Sequence, residues 1–463
     1  MEQPSVGTSP ELPQTWIDSD HPLARVFGRP LQSFLAVEAG GGIMLVIATV
    51  VALVWANSPW GASYVTFFHT HLVIEFGPFH YDESLVHFIN DGLMTLFFFV
   101  VGLEIKREWV AGELRDRRAA VLPAVAALGG MIVPAAIYAA FNAGGAGSGG
   151  WGIPMATDIA FALGVVAVLG NRVPAPLKVF LLTLAIVDDI GAILVIAVFY
   201  TNDLSWQWLI GAAFLVVAVV ACRRAKVRYH VVYVVLGVAM WFCVLESGVH
   251  ATIAGVVMGL LTPALPYLSA DDTQLVVDEL EGRDDLSAAD VHRVSILISE
   301  AVPLTERCEH LLHPWTSYLI VPVFALANAG IVVTRHGLTN PSRITLGVIA
   351  GLLIGKTVGI SAFSWATIRL RWASLPEGVR FSQLFGISVL AGIGFTVSLF
   401  VSGLAFVGRF ESLELRDAKV GILVASVIAA VAGSVVLALA NRRSAPVEPD
   451  QTRPTSGGIS VDV

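Results

Sequence analysis

Twelve apolar runs, each close to the length that spans a lipid bilayer, follow one another between residues 35 and 440. Crossing a hydrocarbon core takes about 20 apolar residues in a helix. In lipid the backbone must satisfy its own polar groups, which leaves helices or closed barrels. The runs lie at 35–56, 85–107, 121–142, 151–169, 177–200, 206–222, 230–246, 248–262, 315–334, 344–368, 383–406 and 417–440. They predict an all-α polytopic membrane protein of about twelve transmembrane helices. Composition agrees: 14% of the 463 residues are charged and mean hydropathy is +0.75, against roughly 25% charged residues in a soluble domain. Between the first two runs, Leu72–Phe76 and Phe79–Tyr81 flank Gly77-Pro78 as a candidate β-hairpin.

The basic residues orient the chain. With alternate loops assigned to the two sides, 22 of the 28 Lys and Arg fall on the side of the termini, and Arg335, Arg343, Arg409, Arg416 and Lys419 on the other. Lys356 is the only Lys or Arg at the centre of a run. Cytoplasmic loops carry the Lys/Arg excess, so both termini are expected in the cytoplasm and the protein in the cell membrane. The expected organisation is a polar cytoplasmic segment 1–34, a helical domain 35–442, and a disordered tail 443–463 rich in Pro, Ser, Thr and Gly. An acidic cytoplasmic loop, 263–314, holds eight acidic residues and one Arg between Asp271 and Asp290 and reads as a solvated linker. No basic patch with interleaved aromatics invites nucleic acid. Three scattered cysteines, Cys222, Cys243 and Cys308, make neither a disulfide framework nor a metal-ligand pattern. No cleavable signal peptide is visible.

Orientation exposes a repeat. The third and tenth runs head triplets of opposite orientation, and each triplet has an unusual middle member. The fourth run is short and carries Gly152, Pro154 and Thr157-Asp158; the eleventh carries Gly392-Ile393-Gly394-Phe395-Thr396 at its centre. Interrupted helices at matching places in inverted triplets suggest a transporter with discontinuous helices, whereas glycine for close packing alone is the plainer alternative.

Ionisable groups at bilayer depth cost about 2.5–3.5 kcal/mol each, so they usually mark function. The sharpest is Asp188-Asp189 in LTLAIVDDIGAILVIAV. Helix neighbours point about 100° apart, so one carboxylate can face a water-filled cavity while the other turns to a partner. Two such charges repel in a low dielectric, which makes the pair a proton binder; deprotonated, it is a hard-oxygen site for a small cation. Competition between proton and cation suffices for exchange. Asp158, in the interrupted fourth run, can neutralise half-helix dipoles or touch the ion. Lys356 can be a counter-charge for the carboxylates, a dipole compensator or a proton carrier, and the first two roles together fit best. Asp91, nearer one end of the second run, reads as a cation-funnel or stability residue. Glu246 and His250 border the short loop before the eighth run, where a lone His is more often a packing residue than a ligand. Glu104, Lys106, Arg107 and Glu108 suit a snorkelling interface cluster.

Two other classes compete with exchange. An intramembrane aspartyl protease also buries two Asp residues, but on separate helices with a Gly-x-Gly-Asp signature; here the pair is contiguous and Gly392-Ile393-Gly394 precedes Phe395. A cation channel would not need paired inverted triplets.

The motifs FFFVVGLEIKRE, IPMATDIAFALG, LAIVDDIGAI, SGVHATIAG, IGKTVGI and GIGFTVS stand here in the order in which the NhaA sodium/proton antiporters carry them. The chain resembles that family from about residue 35 to 440. The resemblance implies twelve helices in inverted repeats, with the fourth and eleventh unwound and crossing at the bilayer midplane. It implies Asp188 and Asp189 as the Na+ and proton site, Asp189 being the nearer match to the essential sodium ligand. Asp158, Thr157, Lys356 and Thr396 would balance charge at the crossing, with Lys356 also able to pair with Asp188. It further implies electrogenic exchange of Na+ and Li+ for H+, with no cofactor, and no enzymatic activity. Glu104, Arg107, Glu108, Glu309, His310 and His313 match a cytoplasmic cluster that tunes activity to pH, and His titrates in the useful range. A homodimer through the hairpin at 70–82 is also implied. The long acidic loop, the polar tails, and Glu306 where a basic residue is common three positions before Glu309 depart from the family pattern.

Overall fold

The computed structural model describes residues 39–442, apart from 77–78, 202–203, 226, 228–229, most of 267–299, 334–338 and 407–411. The expectations for segment 1–34, the tail 443–463 and the acidic run fall outside the described residues. What is described is mostly helical, with one two-stranded sheet. In chain order the elements are α1 (Ala39–Ala56), α2 (Gly61–Phe68), β1 (His71–Phe76), β2 (Phe79–Ser84), α3 (Leu85–Val110) and α4 (Arg117–Asn142). A 3-10 segment (Ser148–Met155) then leads to α5 (Ile159–Leu169), followed by α6 (Ala175–Phe199), α7 (Trp206–Arg224), α8 (His230–Glu246) and α9 (Thr252–Leu261). Next come α10 (Leu304–Trp315, continuing through a π-helical turn at Thr316–Ile320 into Val321–Asn328), α11 (Arg343–Arg369), α12 (Phe381–Leu390), α13 (Phe395–Ala405) and α14 (Leu413–Arg442).

Among the described residues, seven helices are long and apolar enough to cross a membrane, or nine if the bent pairs α1–α2 (116°) and α12–α13 (46°) each count as one span; α8 and α9 are shorter and apolar. Large apolar side chains such as Val54, Phe214, Val231 and Val431 are exposed on the helix surfaces. A water-soluble domain does not present so many of these side by side; a bilayer solvates them.

Several boundaries differ from the sequence reading, each for a physical reason. Residues 304–314, assigned to the cytoplasmic loop, form the first part of α10, a polar helical extension ahead of the expected ninth span at 315–334, whose helix ends at Asn328. This stretch carries Glu306, Glu309 and two histidines, and a polar helix reads as loop when apolarity is the signal. The eighth span starts at Thr252 rather than 248, because Gly248 takes a left-handed φ of 79° that ends the preceding turn. Helix α2 lies in what read as loop. Lys419 and Arg416, placed on an outer loop, lie within α14. The hairpin is present and longer than expected, antiparallel, with His71 opposite Ser84 and Phe76 opposite Phe79.

At Gly129 and Gly359 the backbones of α4 and α11 come into direct contact. A Cβ on Gly359 would stand 2.2 Å from the Gly129 carbonyl oxygen, and one on Gly129 would stand 2.4 Å from that of Gly359. Glycine at both positions allows this approach, and it brings the α11 face carrying Lys356 against α4: Gly130 lies beside Ile360 and the Lys356 stem.

Candidate ion-exchange site

Where the 3-10 segment gives way to α5, and α12 to α13, the helices are interrupted and leave backbone groups without helical partners. The two interruptions satisfy one another. Asp158 is the N-cap of α5, its Oδ1 accepting from the Phe161 amide at 2.9 Å. Its Oδ2 accepts from the amide of Thr396 at 2.9 Å and from the Thr396 hydroxyl at 2.6 Å, in the first turn of α13. One carboxylate therefore caps two helix N-termini, where a negative charge is electrostatically favoured. In return, the Asp158 amide donates to the Ile393 carbonyl at 2.7 Å, and the Thr157 hydroxyl to the Ala391 carbonyl at 3.0 Å, just past the end of α12. The Ser398 hydroxyl donates to the Ile153 carbonyl at 2.8 Å.

Asp188 and Asp189 sit in the middle of α6, both buried. They diverge, as consecutive helix positions must. Asp188 Oδ2 lies 2.5 Å from Lys356 Nζ, with both side chains fully buried. Asp189 makes no ion pair among the described residues, and the Oδ1 of each aspartate is buried with no hydrogen-bond partner. The charges within its electrostatic range are Asp188, Glu104 and Asp158, opposed by Lys356. A buried carboxylate oxygen left open beside a carboxylate already neutralised by lysine is a place for a proton or a small cation. Among the described residues no group of three or more His, Cys, Asp or Glu side chains is arranged to hold a metal ion, so further oxygen ligands for a transported cation would come from backbone, hydroxyls or water.

The remaining sequence candidates divide. Asp91 lies in a π-helical turn (Phe88–Leu93), half-buried, its carbonyl accepting from the Trp241 indole at 2.9 Å and from the Thr95 hydroxyl. Arg107, Glu108 and Glu309 come together: Arg107 bonds Glu309 at 2.7 Å and reaches Glu108 at 3.7 Å, and Glu104 lies within electrostatic range of all three. Burial pushes the Glu309 carboxyl above its ordinary value; Arg107 opposes this, while Glu306 and Glu108 add to it. His310 and His313, on the same helix as Glu309, are instead exposed.

Residues that sequence reasoning passed over secure the 3-10 segment. Tyr138 donates to the Gly147 carbonyl at 2.8 Å, and Tyr200 donates to the Gly149 carbonyl at 2.9 Å while accepting from the Gly152 amide at 3.1 Å. A tyrosine at a helix end reads as an interface anchor, and only the fold reveals what its hydroxyl holds.

The sequence also has close relatives. Residues 32–437 match the family model described as Na+/H+ antiporter 1. The chain is 49% identical to the Na(+)/H(+) antiporter NhaA of Rhodopirellula baltica over 417 residues, covering 88% of this chain and 93% of that protein. It is 47% identical to Na(+)/H(+) antiporter NhaA 1 of Myxococcus xanthus over 433 residues, 92% of this chain and 96% of that one. Against the Na(+)/H(+) antiporter NhaA of Proteus mirabilis it is 45% identical over 411 residues, 88% and 96% of the two chains. These relatives are transporters rather than enzymes, and the match runs through both interruptions and the buried aspartates: the chain belongs to the NhaA family of Na+/H+ antiporters, multi-pass membrane proteins that exchange sodium ions for protons.

Proposed function

We propose that the exchange takes place at Asp188 and Asp189, with Asp189 as the group that a proton and Na+ occupy in turn. The observation that carries this reading is the asymmetry of the pair in charge: each aspartate keeps a buried Oδ1 without a hydrogen-bond partner, but Asp188 is ion-paired with Lys356 at 2.5 Å while Asp189 makes no ion pair among the described residues. An aspartate that binds either ion, never both well, couples their opposite movements when its exposure alternates between the two faces of the membrane. Cytoplasmic Na+, and Li+ by the same hard-oxygen chemistry, leaves as external protons enter, more protons than cations, so the cycle is electrogenic and needs no cofactor.

In this reading the architecture is twelve spans in two inverted repeats, with the fourth and eleventh crossing at the bilayer midplane. Asp158, Thr157, Thr396 and Lys356 balance the charges of that crossing, supported by the double cap on Asp158 and the lysine's ion pair. Asp91 belongs to the cation funnel. Glu104, Arg107, Glu108, Glu309, His310 and His313 set the pH response, the paired Arg107 and Glu309 being its best-supported members. The protein works in the cell membrane with both termini cytoplasmic, as a homodimer through the β1–β2 hairpin.

The test uses everted membrane vesicles containing the full chain. Adding Na+ or Li+ is expected to dissipate a preformed pH gradient, and Asp189→Asn to abolish that response. Exchange that survives in Asp189→Asn would falsify the assignment of the site.

A further inference from the structure

The segment Ser148–Met155 is 3-10 helix, a conformation with poorer hydrogen-bond geometry than the α-helix that rarely persists unaided over two turns. It leads directly into the Thr157–Asp158 interruption, so whatever fixes it fixes where the interruption sits. Its anchors are side chains from three other helices: Tyr138 of α4, Ser398 of α13, and Tyr200 at the C-terminal cap of α6. Tyr200 differs from the other two because α6 is the helix that carries Asp188 and Asp189.

The Tyr200 hydroxyl works in both directions. It donates to the Gly149 carbonyl at 2.9 Å and accepts from the Gly152 amide at 3.1 Å, closing across one turn of the 3-10 segment. Its ring stacks on Trp151 of the same segment, centroids 6.3 Å apart and planes 26° apart. Its own carbonyl bonds His250 Nε2 at 2.7 Å, which fixes the end of α6 from outside. Gly152 leaves the space this needs, since a Cβ there would lie 2.6 Å from the Tyr200 hydroxyl oxygen and 3.0 Å from a ring carbon.

We propose that Tyr200 is a positioning residue for cation binding: its hydroxyl locks the 3-10 segment to the helix bearing the aspartates, and so sets the backbone at the Thr157–Asp158 interruption against Asp189. Through this bridge the cation's carboxylate and the backbone beside it move as one piece. The inference rests on Asp189 as the exchange site and extends it by naming what holds the rest of the site in register.

Tyr200→Phe removes both hydrogen bonds and keeps the ring. Na+-driven proton movement is measured in vesicles over a range of Na+ concentrations and normalised to folded protein. The expected result is an apparent KM for Na+ raised about three- to tenfold, the range for one hydroxyl's lost hydrogen bonds, with Vmax changed by less than about twofold. Wild-type values of both overturn the proposal, as does a fall in Vmax with KM unchanged. Gly152→Ala provides the second arm. Alone it pushes a methyl group into the Tyr200 hydroxyl and raises KM; combined with Tyr200→Phe its added effect shrinks, because the closest clash is gone. Strictly additive effects overturn the proposal too. Asp189→Asn run in parallel keeps the two readings apart: if it still exchanges, the site assignment fails, whereas an inactive Asp189→Asn beside an unaltered Tyr200→Phe defeats the positioning role alone.

Discussion

Lys356 Nζ stands 2.5 Å from Asp188 Oδ2, and neither side chain has any exposed surface. Both charges have left water, and each is tolerable only while the other is present. Removing one partner of such a pair costs about 3–5 kcal/mol, whereas replacing both with apolar groups of similar size is often neutral. Lys356→Met should therefore lower the thermal midpoint of the purified protein markedly, and Lys356→Met with Asp188→Leu should recover most of the loss without recovering exchange. A double variant no more stable than the single would show that the pair is not the source of the destabilisation.

The double cap on Asp158 predicts a graded series. Asp158→Asn keeps oxygen and shape but loses the charge that faces two helix N-termini; Asp158→Ala loses both caps, at about 1 kcal/mol each. Thr396→Val removes only the 2.6 Å hydroxyl bond and leaves the amide bond in place. Thermal melts in detergent should rank the losses Asp158→Ala, then Asp158→Asn, then Thr396→Val.

The Arg107–Glu309 pair yields a pH prediction. A carboxyl whose value is raised in the folded protein holds its proton more tightly there than in the unfolded chain. Its ionisation thus erodes stability as pH climbs from the ordinary carboxyl value through the raised one. Arg107→Gln removes the opposing charge and moves Glu309 further up; Glu306→Gln removes a like charge and moves it down. If Glu309 is part of the pH response, the onset of exchange shifts upward in Arg107→Gln and downward in Glu306→Gln. Measured across the neutral and alkaline range, shifts of the same sign, or none in both, would remove Glu309 from the sensing cluster.

Gly359→Ala tests the backbone contact between α4 and α11. Its Cβ would lie 2.2 Å from the Gly129 carbonyl oxygen, an atom that cannot turn aside. Forcing the helices apart should cost about 1–3 kcal/mol and displace Lys356 from Asp188, so exchange and thermal stability should fall together. Gly403→Ala, where a Cβ meets nothing within 4 Å, is the control and should be silent.

Much of this was legible in the residues. Asp188-Asp189 declared itself because two adjacent carboxylates in an apolar helix have no cheap structural explanation, and Gly392 to Thr396 marked a break because glycine at such density disfavours continuous helix. That Lys356 pairs with Asp188 follows from the family resemblance and is found in the structure, but local pattern alone does not select it, since both aspartates lie on the same turn. The meeting of the two interruptions is implied by the family resemblance but has no local signature: Asp158 and Thr396 are 238 positions apart, and which atoms bond is seen only in the fold. Helix 304–315 reads as loop because its charged face hides it from an apolarity scan, and nothing in composition points to Tyr200, whose hydroxyl bonds backbone atoms.

That separation of 238 residues also bears on biogenesis. Chains lengthen at roughly 5–20 residues per second, so the segment ending in Thr157–Asp158 enters the membrane many seconds before Thr396 has been made. Throughout that delay the amide of Asp158 and the Oδ2 of its carboxyl lack their eventual companions from the far end of the polypeptide. Water, the insertion machinery or a neighbouring loop must shelter them, and the finished structure closes only when the last third of the chain arrives.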